Sequence, residues 1–325
     1  MNYREFHNDS LVVDTHCDTM LKVIRSHGAY RIGDAHAEGH VDIPRLKKGG
    51  VNLQFFAAYI EPQYKPDRSL KRTLQIFDCF YNELADNKDS ISLVLSSADL
   101  EVVRRENKIG ALLSIEGGEA LEEDLGVLRM LHKLGVRAIG LTWNERNQIA
   151  DGVGECRSGG GLTDFGVSVV QEMNRLGIIV DVSHLSEPGF WDVIKVSDKP
   201  IIASHSNAKT ICNHRRNLSD EQIKALAKNG GVMGLNMCHE FLSCDRPVVI
   251  DHVLDHIEHV FSLVGSKHIG LGADLDGITT PPVGLEDVSK LPALTEAMLR
   301  RGITPDQVRD VLGENYLRVI KNVIG

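Results

Sequence analysis

The chain has 325 residues, 42% hydrophobic and 25% charged, the balance of an ordinary folded globular protein and not of a disordered or fibrous one. Its net charge of -9, with no basic run, argues against a nucleic-acid partner or a membrane-surface patch. No apolar stretch is long enough to span a bilayer, MNYREFHNDS lacks the apolar core of a targeting segment, and the six cysteines stand apart without a CxxC pair, so a cytoplasmic protein with free thiols is expected.

Short apolar runs, each followed by a polar or Gly-containing break and an amphipathic segment, recur along the chain. In order, strands are expected at LVVDTH (11–16), VNLQFFAAYI (51–60), IGALLSIEGG (109–118), VRAIGLTWN (136–144), GIIVDVSH (177–184), PIIASHS (200–206), GGVMGLNM (230–237) and HIGLGADLDG (268–277). The first two are joined by a long connection rich in Gly, His and charge that ends in the helix-like IPRLKKGG, the kind of insertion that often walls a site. Helical patterns follow: SLKRTLQIFDCFYNELADN, FGVSVVQEMNRLG, SDEQIKALAKNG and DHVLDHIEHVFSLVG, several closing on Gly or Asn as helix C-caps do. TPDQVRDVLGENYLRVIKNVIG opens on Thr-Pro and is expected as a closing helix.

Eight such units, with strands apolar on both faces, predict an α/β fold of the (β/α)8 TIM-barrel type, one hydrolase domain over residues 1–325. The alternative is an open doubly wound sheet. Against it, no GxGxxG opens the first helix, and the chemically capable residues come from many strands instead of one crevice.

In barrel enzymes the site gathers side chains from the C-terminal ends of several strands. Here those ends carry His16 and Asp18 (strand one), Glu116 (three), His184 (five), His205 (six), and Asp274 and Asp276 (eight). An HxD pair or a lone His at a strand end is more often structural than a ligand; the conjunction on separate strands is what points to metal. His16 and Asp18, two apart in an extended strand, project to one side. If Glu116 bridges, His16, Asp18 and Glu116 hold one ion and Glu116, His184 and His205 a second. That donor set suits two catalytic Zn2+, with Mn2+ or Co2+ as substitutes. Two ions about 3.5–4 Å apart share a hydroxide at neutral pH and polarise a carbonyl, so metal-assisted hydrolysis is expected. Asp274 fits a proton shuttle and Asp276, directly before Gly277, a turn. The remaining histidines are expected on solvated faces or loops, and Cys17 on the side away from the ligands that flank it.

The motifs DTHCDT, SIEGG, DVSH, SHSNAKTICNHRRN and GLGADLDG, in this order, resemble those of the membrane (renal) dipeptidase family of metallopeptidases. The resemblance runs from strand one to the C-terminal helix. It implies a barrel with two zinc ions that cleaves dipeptides, often tolerating a D-residue at the C-terminal position, and a soluble, bacterial-type member that forms a homodimer. It also implies His16, Asp18, Glu116, His184 and His205 as ligands, Asp274 as catalytic acid/base and Arg216 as binder of the substrate carboxylate. Two positions depart from the mammalian pattern: Trp143 stands in place of a substrate-contacting His, and Phe241 in place of a Tyr. Trp143 is therefore expected as an apolar pocket wall, with Asn144 or His239 as replacement donor. Arg216 favours a free dipeptide over the substrates of the alternatives, a lactonase or cyclic-amide hydrolase, or a non-catalytic metal-binding barrel.

Overall fold

The computed structural model describes residues 2–325. Among them, nine strands form one parallel sheet: β1 (Val13–Asp14), β2 (Leu53–Tyr59), β3 (Ile91–Leu93), β4 (Ile109–Glu116), β5 (Val136–Gly140), β6 (Ile179–Asp181), β7 (Ile202–Ala203), β8 (Val232–Leu235) and β9 (Ile269–Leu271). β1 pairs with both β2 and β9, and β2 pairs with β4, so the ring runs β1-β2-β4-β5-β6-β7-β8-β9 and closes. This is the expected (β/α)8 barrel, each of whose strands falls within one of the eight predicted runs.

The additional strand, β3, has no counterpart in the sequence reading. It pairs with the opening residues of β4 (Ile91 with Ile109), on the flank that β5 occupies further along from Leu113. Three residues, ISL, carry too little period to stand out between two helices.

The local signals that built the helices are present as physical contacts. In Asp164–Leu176, the Thr163 hydroxyl accepts from the Gly166 N–H at one end, and Gly177, left-handed at φ 76°, stops the other. Asp220–Lys228 begins with a reciprocal capping box between Ser219 and Gln222. Ser69–Asp86 buries Thr73, Ile76, Phe77, Phe80 and Leu84, one face at helical spacing, against the barrel wall. The closing helix is present and runs without a gap from Pro305–Arg309 through a π-helical turn, Asp310–Glu314, into Asn315–Val323.

Apolar side chains divide between a layer under the helices and a barrel lumen. The lumen holds Val13, Leu53, Phe55, Leu112, Ile179, Ile202 and Val232, and is stopped by Tyr316, Val319, Ile320 and Val323 of the last helix. Tyr316 is inserted so closely that a Cβ on Gly270 would lie 2.3 Å from its ring, and its hydroxyl meets that of Thr15 at 3.1 Å. The floor is thus filled with side chains, which leaves the opposite, C-terminal rim as the place for a cavity.

Two histidines overturn the expectation of solvated placement. His7 is fully buried between the Thr295 hydroxyl (2.7 Å) and the Gly49 carbonyl (2.8 Å). His256, equally buried, accepts from the Ala208 N–H (3.1 Å) and donates to the Leu242 carbonyl (3.0 Å), and burial lowers its pKa to about 4. A neutral imidazole with both nitrogens satisfied is a polar cross-link that a core tolerates, and no periodicity announces it. No helix among the described residues is long and apolar enough to cross a membrane.

Candidate metal centre

The chain leaves β1, β6, β7 and β9 early, so His16, Asp18, His184, His205 and Asp274 stand just beyond the strand ends, where they converge with Glu116, the last residue of β4. His16 Nε2 lies 3.6 Å from Asp18 Oδ2, 3.7 Å from Glu116 Oε2 and 3.8 Å from Asp274 Oδ1. On the other side, Glu116 Oε1 lies 3.0 Å from His184 Nε2 and 3.4 Å from His205 Nε2. The two oxygens of Glu116 therefore face different histidines, as a bridging carboxylate requires. Cys17, between His16 and Asp18, turns its thiol to the Phe55 carbonyl instead.

Hydrogen bonds fix which imidazole nitrogen holds the proton. His184 Nδ1 is 2.8 Å from Asn144 Oδ1, which can only accept, so Nδ1 donates and Nε2 carries the lone pair. His205 Nδ1 is 2.7 Å from the Ser204 hydroxyl, which itself donates to Asp181 Oδ2 and so accepts from the ring. Asp181 is held in turn by the Ser183 and Ser204 N–H groups. Burial pushes the His184 pKa down to about 3, with Arg216 adding to it, and holds His205 well below its ordinary value. Burial also opposes charge on His16, but the Glu116 and Asp18 carboxylates outweigh it and raise that ring well above its ordinary range.

These details decide whether the residues fit a metal. The His184 and His205 Nε2 atoms are 2.9 Å apart with lone pair facing lone pair, which is repulsive unless a cation sits between them and Glu116. His16 Nε2 and Asp18 Oδ1 are buried without any hydrogen-bond partner. Donor separations of 3.0–3.8 Å are close to the roughly 3.3 Å edge of a tetrahedron with metal–ligand bonds of about 2.0–2.1 Å. The donor set fits. Asp274 belongs to it geometrically: donor atoms of His16, Asp18 and Asp274 lie within 4.8 Å of one another, as do those of His16, Glu116 and His205.

Above the cluster opens a cavity of about 770 Å³. Asp274 lines it, one oxygen held by the Asn236 amide at 2.8 Å and the other turned to the donors; burial pushes its pKa up to about 7, with Asp18 and Glu116 adding to the rise and His16 opposing it. His184, Asp274 and Asp276 all have left-handed backbones (φ 67°, 60° and 67°), a conformation that costs about 1–3 kcal/mol each and clusters where function needs it. Asp276 serves the wall: it accepts from the Thr19 hydroxyl and the His40 N–H, both at 2.8 Å, and pairs with Lys22 at 3.1 Å, tying down the long connection after β1.

Arg216 lines the cavity as a buried guanidinium that donates to the His205 carbonyl (3.1 Å) and has no carboxylate partner among the described residues, whereas Arg215 is exposed. Phe241 stacks on His214 (4.5 Å between ring centres) beside it. Across the cavity, Trp143 lies against the His184 ring (5.6 Å) and Tyr59 (5.2 Å). His239 also lines the cavity, with Nδ1 3.3 Å from the Thr280 carbonyl. Tyr59, Asp181, Ser204 and Asn236 carried no signal in the sequence, and of the two expected replacement donors Asn144 uses its oxygen to orient His184 while its amide N–H group has no partner among the described residues.

The model of the family described as membrane dipeptidase (peptidase family M19) matches residues 1–324. The chain belongs to that family. Membership makes it a metallopeptidase of the dipeptidase type, a hydrolase. Solved structures are similar to it along their whole length. A dipeptidase described as a family M19 metallopeptidase is 31% identical, covering 97% of this chain and 99% of that one, with a TM-score of 0.91. A metallopeptidase from Rhodobacter sphaeroides, liganded with a phosphinate mimic of the dipeptide L-Ala-D-Ala, is 29% identical over 97% of this chain and 100% of that one, again at 0.91. An amidohydrolase from Pseudomonas aeruginosa is 28% identical over 100% of both chains, at 0.87.

Proposed function

We propose that this family member hydrolyses free dipeptides, L-Xaa-L-Xaa or L-Xaa-D-Xaa, with two zinc ions held by His16, Asp18, Glu116, His184 and His205. The observation that carries the dipeptide reading is Arg216, a buried cation without a counter-ion beside the donor cluster, which a free substrate carboxylate would complete. Bound there, the ions would polarise the scissile carbonyl and make an attacking water more acidic. The chain's own groups do the rest. Arg216 holds the C-terminal carboxylate, Trp143 walls the acyl side, and Asp274 Oδ1 takes the proton released as water attacks and returns it to the leaving nitrogen. A C–O bond forms, the C–N bond breaks, and two amino acids leave.

The same reading takes residues 1–325 as one catalytic domain, cytoplasmic and homodimeric, acting on small dipeptides without nucleic acid or membrane partners. Metal analysis of purified protein, run with a screen of L,L and L,D dipeptides, tests it. Zinc with dipeptide turnover is expected; turnover of lactones or cyclic amides alone would replace it.

Arg216→Ala separates the clamp from a general defect. Losing a hydrogen bond to a charged group costs about 1.5–3 kcal/mol, so kcat/KM for a free dipeptide should fall about ten- to hundredfold. The matching dipeptide amide, lacking the carboxylate, should change little. Equal losses on acid and amide would remove the clamp role, and Arg215→Ala should leave both near wild type.

A further inference from the structure

We propose that Tyr59 is a further substrate-contacting group, whose hydroxyl donates a hydrogen bond to the scissile carbonyl oxygen on the side of the cavity away from Arg216 and Asp274. The proposal rests on the dipeptidase reading above. It starts from register: Tyr59 is the last residue of β2 and lies directly opposite Glu116, the last of β4. Opposed residues on neighbouring parallel strands point to the same face. Glu116 points into the metal centre, so Tyr59 rises beside it, and both line the main cavity.

The ring is held and the hydroxyl is not. Trp143 packs on the ring at 5.2 Å, and Lys65 Nζ, anchored 3.0 Å from the buried Glu119 carboxylate, stands 5.5 Å from both ring centres. The buried phenols have partners: Tyr30 donates to the Val41 carbonyl at 2.8 Å, and Tyr316 meets Thr15, whereas Tyr59 is half-buried. Tyr59 Oη has none among the described residues and is not sealed off, so it is a fixed O–H aimed into the cavity.

Barrel order then says which substrate atom it meets. Arg216, Asn236 and Asp274 come from the β7–β9 side, and Tyr59 and Trp143 from β2 and β5 across the cluster. A dipeptide with its carboxylate on Arg216 and its leaving nitrogen at Asp274 places its acyl half, carbonyl included, toward Tyr59. Asn144 uses only its oxygen, on His184, and His239 Nδ1 faces the Thr280 carbonyl, so what singles out Tyr59 is its fixed position directly beside Glu116.

Tyr59→Phe keeps the ring and removes only the donor. With zinc-loaded protein and L-Ala-D-Ala, kcat should fall about 10²-fold with KM within about threefold, the pattern of a contact made in the transition state. Calorimetric affinity for a phosphinate L-Ala-D-Ala mimic, whose tetrahedral oxygens occupy the oxyanion position, should drop in parallel, with metal content and Tm unchanged. A KM increase at constant kcat, or unaltered kcat and phosphinate affinity, would overturn the proposal. Wild-type protein that cleaves no dipeptide would reject the dipeptidase reading instead, and the phosphinate comparison would still decide Tyr59.

Discussion

Glu116→Gln is expected to strip both metal ions together and abolish hydrolysis. The geometry gives the reason: Oε2 faces His16 at 3.7 Å, while Oε1 faces His184 at 3.0 Å and His205 at 3.4 Å. An amide in that place removes one negative charge from a buried site and would turn an N–H pair, a donor, onto one of the two proposed cations. The other cation keeps a neutral oxygen in place of a carboxylate. Loss of an outer partner of a metal ligand costs about 10–100-fold in affinity, and loss of a shared anionic ligand should cost each ion more than that. Zinc measured per chain should therefore fall well below one, both ions titrating away in one step on chelation. A variant that retains two ions would reject the bridging role, and one that loses a single ion would assign Glu116 to one side only.

How much of this was legible beforehand depends on the size of each signal. β4, eight buried residues long, and helix Asp164–Leu176 with its Thr163 and Gly177 ends carry pattern and punctuation, and both stand where expected. β3 does not, because three residues carry no period. The donors could be found because His16, His184 and His205 interrupt apolar runs where packing gives no reason for them. Their supports could not: Asp181 and Ser204 sit beside their ligands as ordinary polar residues, and only the fold brings Ser204 Oγ to His205 on one side and Asp181 on the other. Tyr59 was hidden differently, since an aromatic residue ending FFAAY reads as one more strand former. Between the adjacent Arg215 and Arg216 only the resemblance of the motif favoured Arg216, and the structure adds that Arg216 is buried at the cavity while Arg215 is exposed.

Asp274→Asn is expected to leave metal content at the wild-type level and lower kcat by about 10²–10⁴-fold, the range for loss of a positioned proton shuttle. The substitution is mild everywhere except at the proton. Asn tolerates the left-handed backbone that Asp274 already adopts at φ 60°, so no new strain enters. Its amide oxygen can keep accepting from Asn236 Nδ2, now 2.8 Å from Asp274 Oδ2, which leaves the NH2 turned toward His16 and the donor cluster. An amide there can neither take a proton from water nor deliver one to the leaving nitrogen. The competing role is real in the geometry, because Asp274 Oδ1 is only 3.8 Å from His16 Nε2 and within ligand reach of Asp18. A ligand and a shuttle predict different losses: a ligand takes an ion with it when neutralised, and added zinc then restores part of the rate. A shuttle leaves both ions in place, and no excess of zinc recovers kcat. Metal analysis beside kcat at saturating zinc separates the two, and an Asp274→Asn enzyme within tenfold of wild type would remove Asp274 from the proton path altogether.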